Sequence, residues 1–404
     1  MTLHLWQGFG VELEYMIVDR DTLAAKPICD TLLRQVSGGL DDVERGDAAW
    51  SNELVLHVVE FKTNGPAPSL EPLPALFADQ VRTANDALRK HNAMLLGGAM
   101  HPFFDPVTET RIWPHDYNVV YETYNRIFDC RGHGWSNLQA THLNLPFADD
   151  TEFARLHAAV RYVLPLLPGL AAASPVAEGR VQKALDFRLV NYAGNSARIP
   201  SSTGQVIPEP LYTRDEYYAG ILEKIWADTA PFDPDGNLQG EFANARGAIA
   251  RFDRMAIEIR VLDIQECPLA DVAICAAIVE VLKALVCERW LPITEIARTE
   301  VAPLAAILRQ GFVEAENTVV SDLAYLRGFG IDEPLPVNEI WHHLAHETGL
   351  AQPMLGVLRH IEKQGTLATR IVRALGSTPT RSGIESVYRE LADCLAANRL
   401  FETV

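Results

Sequence analysis

Two glutamates near the start of the chain lie in a segment that is otherwise apolar. Glu12 and Glu14 stand two residues apart in QGFGVELEYMIVD, among Val11, Leu13 and Tyr15. This alternation predicts a β-strand, and residues two apart in a strand face the same side. Two like charges on one face of so apolar a strand repel each other and resist burial unless a cation, a basic partner or water compensates them.

Acids recur in two further strand-like segments, with Glu53 and Glu60 in NELVLHVVEF and Glu258 in AIEIRVLDI. A single buried acid is commonly half of a structural ion pair. Three such segments favour a carboxylate cluster that holds hard divalent cations through oxygen ligands and leaves positions open for phosphate and water. His142 in THLNL could add an imidazole ligand, or it could be a core histidine whose hydrogen bonds are satisfied.

The spacing of Glu53 and Glu60 does not fit one straight strand. They are an odd number of residues apart, so an unbroken strand would place them on opposite faces and about 23 Å apart. Either a bend or turn lies between them, or one of the two is not a ligand.

Polar and basic side chains accompany the acids. Arg260 shares a strand face with Glu258, and could bind a carboxylate or phosphate or simply neutralise that acid. Asn144 shares the face of His142 and could bind substrate or phosphate. Arg188 and Arg198 fall in residues 186–210, a polar segment of little periodicity that predicts a long loop, which could either grip phosphates or a carboxylate or be solvated.

The elements that must position these residues are mixed. Strand-like pieces are followed by helical patterns, and everything beyond QECP reads as helical except for breaks near 311 and 330–337. The predicted strand-like segments are residues 9–19, 53–62 and 94–100, LQATHLNLPF and MAIEIRVLDI. We therefore predict an α+β protein with a single catalytic domain over 1–404, in which the catalytic motifs occupy 8–270 and a helical C-terminal layer occupies 271–404.

Composition excludes several classes of protein. The net charge of -18 argues against nucleic-acid and anionic-membrane partners, whose binding depends on Lys and Arg. The six cysteines have no CxxC spacing, which argues against a zinc site or a disulfide framework and suits a reduced cytoplasm. No signal-peptide pattern begins the chain, and apolar runs such as VAICAAIVEVLKALVC read as buried helices rather than membrane spans.

Five segments, in this order, resemble the glutamate–cysteine ligase family, and in particular its second branch, the bacterial carboxylate–amine ligases. GVELEY and ELVLHVVEFKTNGP resemble its first two metal-binding strands. GGAMHPF is similar to a Gly-rich strand of the second branch, THLNLPF to the strand with the metal-binding histidine, and IEIRVLDIQECP to the last catalytic strand. The second branch tends to carry His-x-His where this chain has His142 and Asn144, so the acceptor amine stays open.

The resemblance implies a glutamine synthetase-like catalytic domain, whose antiparallel β-sheet forms an active-site funnel flanked by helices. It also implies ATP-dependent formation of an amide, of the γ-glutamyl type, through an acyl phosphate, from glutamate or a similar carboxylate and an amine. The positions that match ligands of magnesium or manganese are Glu12, Glu14, Glu53, Glu60, His142 and Glu258. Arg260 and Glu60 are expected to act in catalysis, and Arg188, Arg198 and Asn144 to contact ATP.

Two other functions fit the same residues. A catalytically silent module could use a ligase-like fold to sense metal, nucleotide or an amino acid for a partner protein. A metal-dependent hydrolase could use the same carboxylates to activate water, in which case ATP would not be required. A homo-oligomer is possible, because the apolar C-terminal helices could form a subunit contact instead of covering the core.

Overall fold

The computed structural model of the chain describes residues 2–402. Its strands are β1 (Gly10–Asp19), β2 (Val43–Arg45), β3 (Ala48–Asn52), β4 (Val58–Thr63), β5 (Ala93–Leu96), β6 (Ala140–Pro146), β7 (Val176–Ala177), β8 (Arg180–Val181), β9 (Ala248–Arg251), β10 (Ala256–Asp263), β11 (Val319–Val320) and β12 (Leu335–Pro336).

The α-helices are α1 (Cys29–Ser37), α2 (Leu73–Leu88), α3 (Pro106–Glu109), α4 (Asn118–Phe128), α5 (His133–Ser136), α6 (Asp150–Val163), α7 (Pro168–Ala171), α8 (Phe187–Tyr192), α9 (Arg214–Tyr217), α10 (Glu223–Thr229), α11 (Pro268–Val286), α12 (Ile293–Ile296), α13 (Val301–Glu314), α14 (Leu323–Leu326), α15 (Val337–Thr348), α16 (Met354–Gln364), α17 (Leu367–Leu375) and α18 (Arg381–Ala397). Short 3₁₀ turns and one π-helical turn, Tyr218–Leu222, adjoin some of these helices.

The main sheet has the strand order β2-β3-β4-β1-β6-β10-β9, and β5 pairs with the far end of β1. All of these pairs are antiparallel. Helices α2, α6, α11 and α18 pack against strands of this sheet. The predicted α+β architecture with an antiparallel sheet flanked by helices is therefore confirmed.

Strand β1 lies inside the sheet and separates an apolar face from an acidic one. Val11, Leu13 and Tyr15 are fully buried on the face that α11 covers. Because side chains alternate along a strand, Glu12 and Glu14 point to the opposite face. The alternation that the sequence shows is thus the division between the hydrophobic core and the candidate site.

Helix α11 is buried on nearly all sides, as the apolar run VAICAAIVEVLKALVC predicts. Within residues 2–402, no helix combines the length and the apolar character that a membrane span requires. The last helix, α18, packs on β5 and α2, so the C-terminal layer shares the core of the sheet.

Some local predictions are wrong. The predicted strand 94–100 ends at Leu96, because Gly97 lies against the backbone of 265–266 and Gly98 adopts a φ of 91°. The predicted break near 311 is absent from α13, in which Gly311 packs against Pro168. The chain leaves the helix after Glu314, and β11 then pairs with β12.

The segment 186–210 is not wholly a loop either. Its first part forms α8, because the Asp186 side chain caps the helix by accepting a hydrogen bond from the Leu189 amide at 2.9 Å. A turn does separate Glu53 from Glu60, since β3 ends at Asn52 and β4 begins at Val58.

A buried acid on α11 provides a test of the core beneath the sheet. Asp271 is 1% exposed and accepts hydrogen bonds from Thr141 Oγ1 (2.7 Å) and the Gln265 amide (2.8 Å). Burial raises its pKa from 3.8 to about 8, although these hydrogen bonds oppose the shift. Between these pH values the folded protein binds this proton more tightly than the unfolded chain does, so the stability from Asp271 falls as pH rises.

We expect Asp271→Asn to remove that pH dependence, because an amide does not titrate. As the pH rises from 5 to 8, the free energy of unfolding of the variant should increase relative to that of the wild type, by at most about 1.4 kcal/mol per pH unit. Urea unfolding of both proteins at the two pH values measures the difference. A difference that stays constant with pH would show that Asp271 is ionised throughout.

Candidate metal centre

The register of the sheet brings the predicted acids together. Glu14 on β1 lies directly opposite Glu60 on β4, and Glu12 lies directly opposite His142 on β6. Residues directly opposite in an antiparallel pair project to the same face. One strand further on, Glu258 of β10 lies opposite Asn144 of β6.

Two groups of three residues converge closely enough to hold cations. Glu12, Glu60 and His142 form the first triad, and Glu14, Glu53 and Glu60 form the second. Within each triad, one ligand atom from every residue lies within 4.8 Å of the others. Glu60 belongs to both triads, and therefore could bridge two neighbouring cations.

The turn between β3 and β4 explains how Glu53 reaches the second triad. Glu53 follows the last residue of β3, and β3 pairs with β4 so that Ser51 lies opposite Glu60. The turn thus brings together two acids that a straight strand would separate. A bend here is the first of the two alternatives that the odd spacing of Glu53 and Glu60 left open.

The second triad gathers three carboxylates, of which Glu60 pairs with Lys62 at 2.9 Å. Glu14 is 5% exposed and Glu60 is 6% exposed. Burial, together with the charges of Glu14 and Glu60, raises the pKa of Glu53 well above its ordinary value. Burial likewise raises the pKa of Glu14, although His142 opposes the shift. A divalent cation would relieve this repulsion, and an oxygen-rich donor set with one imidazole suits Mg²⁺ or Mn²⁺.

The first triad is held in place by hydrogen bonds. His142 Nδ1 lies 3.0 Å from Glu12 Oε2, and Asn144 Nδ2 donates to Glu12 Oε1 at 3.0 Å. Burial alone would lower the pKa of His142, but Glu12 and Glu14 raise it to about 9. In the metal-free protein this histidine is therefore protonated near neutral pH, and a cation must displace its proton to bind it.

Glu258 lies beside the triads but is paired with arginines. Arg260 Nε lies 2.8 Å from Glu258 Oε1, and Arg251 Nη1 lies 3.4 Å from Oε2. Burial would raise the pKa of Glu258, but Arg260, His142 and Arg251 together lower it. A metal-ligand role for Glu258 stays a prediction, and Arg260 makes the neutralising contact that the sequence left open.

The two loop arginines are not part of the triads. Arg188 lies in α8, is 1% exposed and pairs through Nε with Asp263, so it is not in a solvated loop. Arg198 is exposed, donates to the Ile127 carbonyl at 2.8 Å and stacks on the Phe232 ring at 4.5 Å. Their contact with ATP stays a prediction.

Sequence reasoning missed two basic residues at the site. Lys62 Nζ lies 2.9 Å from Glu60 Oε1 and 2.6 Å from Ser51 Oγ. Its position two residues after Glu60 on a predicted strand was a usable signal, because that spacing implies a shared face. Arg251 had no comparable signal, since its contact with Glu258 depends on how β9 pairs with β10.

The Lys62 ammonium group contacts the Glu60 carboxylate, so a bound metal cation would compete with it for Glu60. Burial opposes its charge, but Glu60 raises its pKa, so the ammonium group persists at neutral pH. We expect Lys62→Met to tighten Mn²⁺ binding by about tenfold. In the wild type, the Lys62 ammonium group repels a bound Mn²⁺ ion, and solvent screens this repulsion only partly; the variant removes it.

A calorimetric Mn²⁺ titration of the metal-free protein measures this effect. Lys26→Met is the matched control, because Lys26 pairs with Asp19 at the other end of β1, at 2.9 Å. Weaker Mn²⁺ binding in Lys62→Met would show instead that Lys62 holds Glu60 in its binding position.

Comparison with known proteins identifies the family of the chain. The model of glutamate–cysteine ligase family 2 matches residues 8–390. The chain belongs to this family. The resemblance in five short motifs is thus confirmed, and the match extends through most of the C-terminal helical layer, where the sequence shows no motif of the family.

Proteins similar to this family 2 protein include a relative in sequence and two solved structures. An uncharacterized protein of Archaeoglobus fulgidus is 33% identical over 279 residues, which cover 68% of this chain and 74% of the relative. A glutamate–cysteine ligase of Francisella tularensis, solved in complex with AMP, has a TM-score of 0.63 at 12% identity, covering 98% of this chain and 89% of that one.

A second solved structure is a bifunctional glutathione synthetase of Pasteurella multocida. It has a TM-score of 0.58 at 14% identity, and the match covers 97% of this chain but 52% of that one. At these identities the two solved structures show the fold of the family 2 protein rather than its substrates.

Proposed function

We propose that this family 2 protein is an ATP-dependent carboxylate–amine ligase that forms an amide bond. The observation that carries the proposal is the pair of acidic triads that share Glu60 on one face of the sheet. Such a site suits a reaction between anions, because ATP and a carboxylate repel each other unless cations lie between them.

The reaction has two steps. An oxygen of the donor carboxylate attacks the γ-phosphorus of ATP, which forms an acyl phosphate and releases ADP. The nitrogen of an amine then attacks the acyl carbon, the bond from that carbon to the phosphate oxygen breaks, and phosphate leaves as the amine loses a proton.

Each group of residues has a part in this scheme. The residues that would hold Mg²⁺ or Mn²⁺ are Glu12, Glu14, Glu53, Glu60 and His142, with Glu258 beside them. Bound there, the cations would neutralise phosphate and carboxylate charge. Asn144 keeps Glu12 oriented, and Arg260 would stabilise charge that develops on the transferred phosphoryl group or orient the donor.

We further propose glutamate as the donor, joined through its γ-carboxylate, and a cytoplasmic setting in which ATP and amino acids are available. Family membership supports glutamate, and the AMP complex of the Francisella ligase supports an adenine nucleotide. The acceptor is an amine to be found by experiment, with cysteine first among the candidates.

The test is phosphate release from ATP with Mg²⁺ and glutamate, measured with and without a panel of amines that includes cysteine. We expect release that requires an amine, together with the matching amide by mass spectrometry. Amine-independent release would indicate hydrolysis of ATP in place of amide formation, whereas binding of Mg²⁺ and ATP without release under any condition would indicate a silent sensor.

A further inference from the structure

A surface cavity of ≈ 370 Å³ lies beside the His-Pro-Phe motif, outside the two triads. Its volume is within the range of small-molecule sites. The residues that give it its chemical character are Phe103, Phe104, Asp105, His133, Glu178 and Arg381. The cavity therefore combines an aromatic floor with charges of both signs.

Arg381 brings a positive charge to this cavity from the other end of the chain. It is the first residue of α18, and its guanidinium carbon lies 4.3 Å from the centre of the Phe103 ring. Its Nε lies 3.0 Å from Glu385 Oε1, one turn further along the helix. The stacked, exposed guanidinium keeps donors free for a carboxylate in the cavity.

His133 presents a hydrogen-bond donor to the same space. The His101 amide donates to Asn137 Oδ1 at 2.8 Å, which fixes the orientation of the Asn137 side chain. Asn137 Nδ2 therefore donates to His133 Nδ1, at 3.0 Å. Because burial lowers the pKa of His133, the ring is neutral at pH 7 and its one proton is on Nε2, which faces Glu178 at 3.6 Å.

Glu178 is held over the cavity at a cost in backbone conformation. It lies in the turn between β7 and β8 with a φ of 54°, a conformation that is unfavourable for a residue with a side chain. The following Gly179 has a φ of 71° and donates its amide to the Pro102 carbonyl at 2.8 Å, which fastens the turn to the motif. Glu178 and Asp105 give the cavity its negative charge, although Glu178 Oε2 also pairs with Arg180 Nη2, outside the lining, at 2.7 Å.

We propose that this cavity binds a free α-amino acid as a zwitterion. The carboxylate of the ligand lies between Arg381 and His133 Nε2, its ammonium group lies near Glu178 and Asp105, and its side chain packs on Phe103. The lining holds one cation, Arg381, and two acids, and at its edge Arg180 pairs with Glu178 while Glu385 pairs with Arg381. Acids therefore outnumber cations around the cavity, which disfavours nucleotides and other polyanions. The proposal does not depend on the ligase function, because none of these residues belongs to the triads.

The test is a calorimetric titration with each of the twenty amino acids, run in EDTA so that the candidate metal centre is without cations. Acetate and methylamine serve as probes that carry one charged group each. We expect saturable binding of at least one amino acid, and binding of acetate and methylamine at least tenfold weaker.

Arg381→Gln and Glu178→Gln should each weaken that binding by tenfold or more. Arg82→Gln and Glu44→Gln, exposed residues of α2 and β2, are matched controls that should leave it unchanged. Unchanged thermal melts exclude misfolding as the cause.

Three results would overturn the proposal: no saturable binding of any amino acid, binding that both cavity variants retain, or equal binding of acetate and the amino acid. Because this titration contains no ATP, its failure is distinguishable from a failure of the ligase assay.

Discussion

Replacement of Glu60 by Gln is expected to abolish amine-dependent phosphate release, with a loss of a hundredfold or more, on the order expected when one stabilising group is removed from a reacting centre. Glu60 is the one residue that the two triads share. The amide lacks the negative charge and the second oxygen ligand that a bridging carboxylate supplies, so both cation sites are weakened together.

The same variant should bind Mn²⁺ much more weakly than the wild type does. Calorimetric titration measures the affinity, and circular dichroism confirms that the fold persists. Glu44→Gln is the matched control, because Glu44 is an exposed glutamate on β2 of the same sheet, away from the triads. Wild-type Mn²⁺ affinity and turnover in Glu60→Gln would remove the basis of the proposed metal centre.

The second large effect is expected at Arg260. Arg260→Gln should lower turnover by about a hundredfold or more if its guanidinium acts on the transferred phosphoryl group or on the donor carboxylate. If Arg260 serves only to neutralise Glu258, the loss of turnover should arise because the buried Glu258 carboxylate is left without this partner. The two roles predict different results when both residues are changed.

The double variant Arg260→Gln/Glu258→Gln separates these roles. A role toward substrate predicts that the double variant stays as slow as Arg260→Gln, because no guanidinium is restored. A purely neutralising role predicts that turnover returns toward that of Glu258→Gln. The measurement is the rate of phosphate release at saturating ATP and Mg²⁺ for the wild type and the three variants.

The candidate centre was largely predictable because its signal is local. Strand geometry repeats every two residues, so Glu12 and Glu14 share a face in any unbroken strand. The apolar residues between them then show that this strand has one face in the core. The same rule showed that Glu53 and Glu60 could belong to one site only if a bend or turn lies between them, and a turn does lie between β3 and β4.

Other features depend on which distant segments meet. The burial of Arg188 follows from its pairing with Asp263, 75 residues later, and a polar composition gave no sign of it. Nothing local marks Arg251 as the partner of Glu258, because that contact needs the pairing of β9 with β10. The cavity at the His-Pro-Phe motif likewise needs α18 to carry Arg381 onto Phe103.

The sequence by itself therefore determined the acidic strand face, the α+β class and the family, since these depend on residue types at short spacing. Only the tertiary structure decided that Glu60 joins two triads, that Lys62 and Arg251 accompany them, and that Glu258 is paired with arginines. The physical reason is that strand register and the burial of charge are properties of the packed chain, to which residues far apart in sequence contribute together.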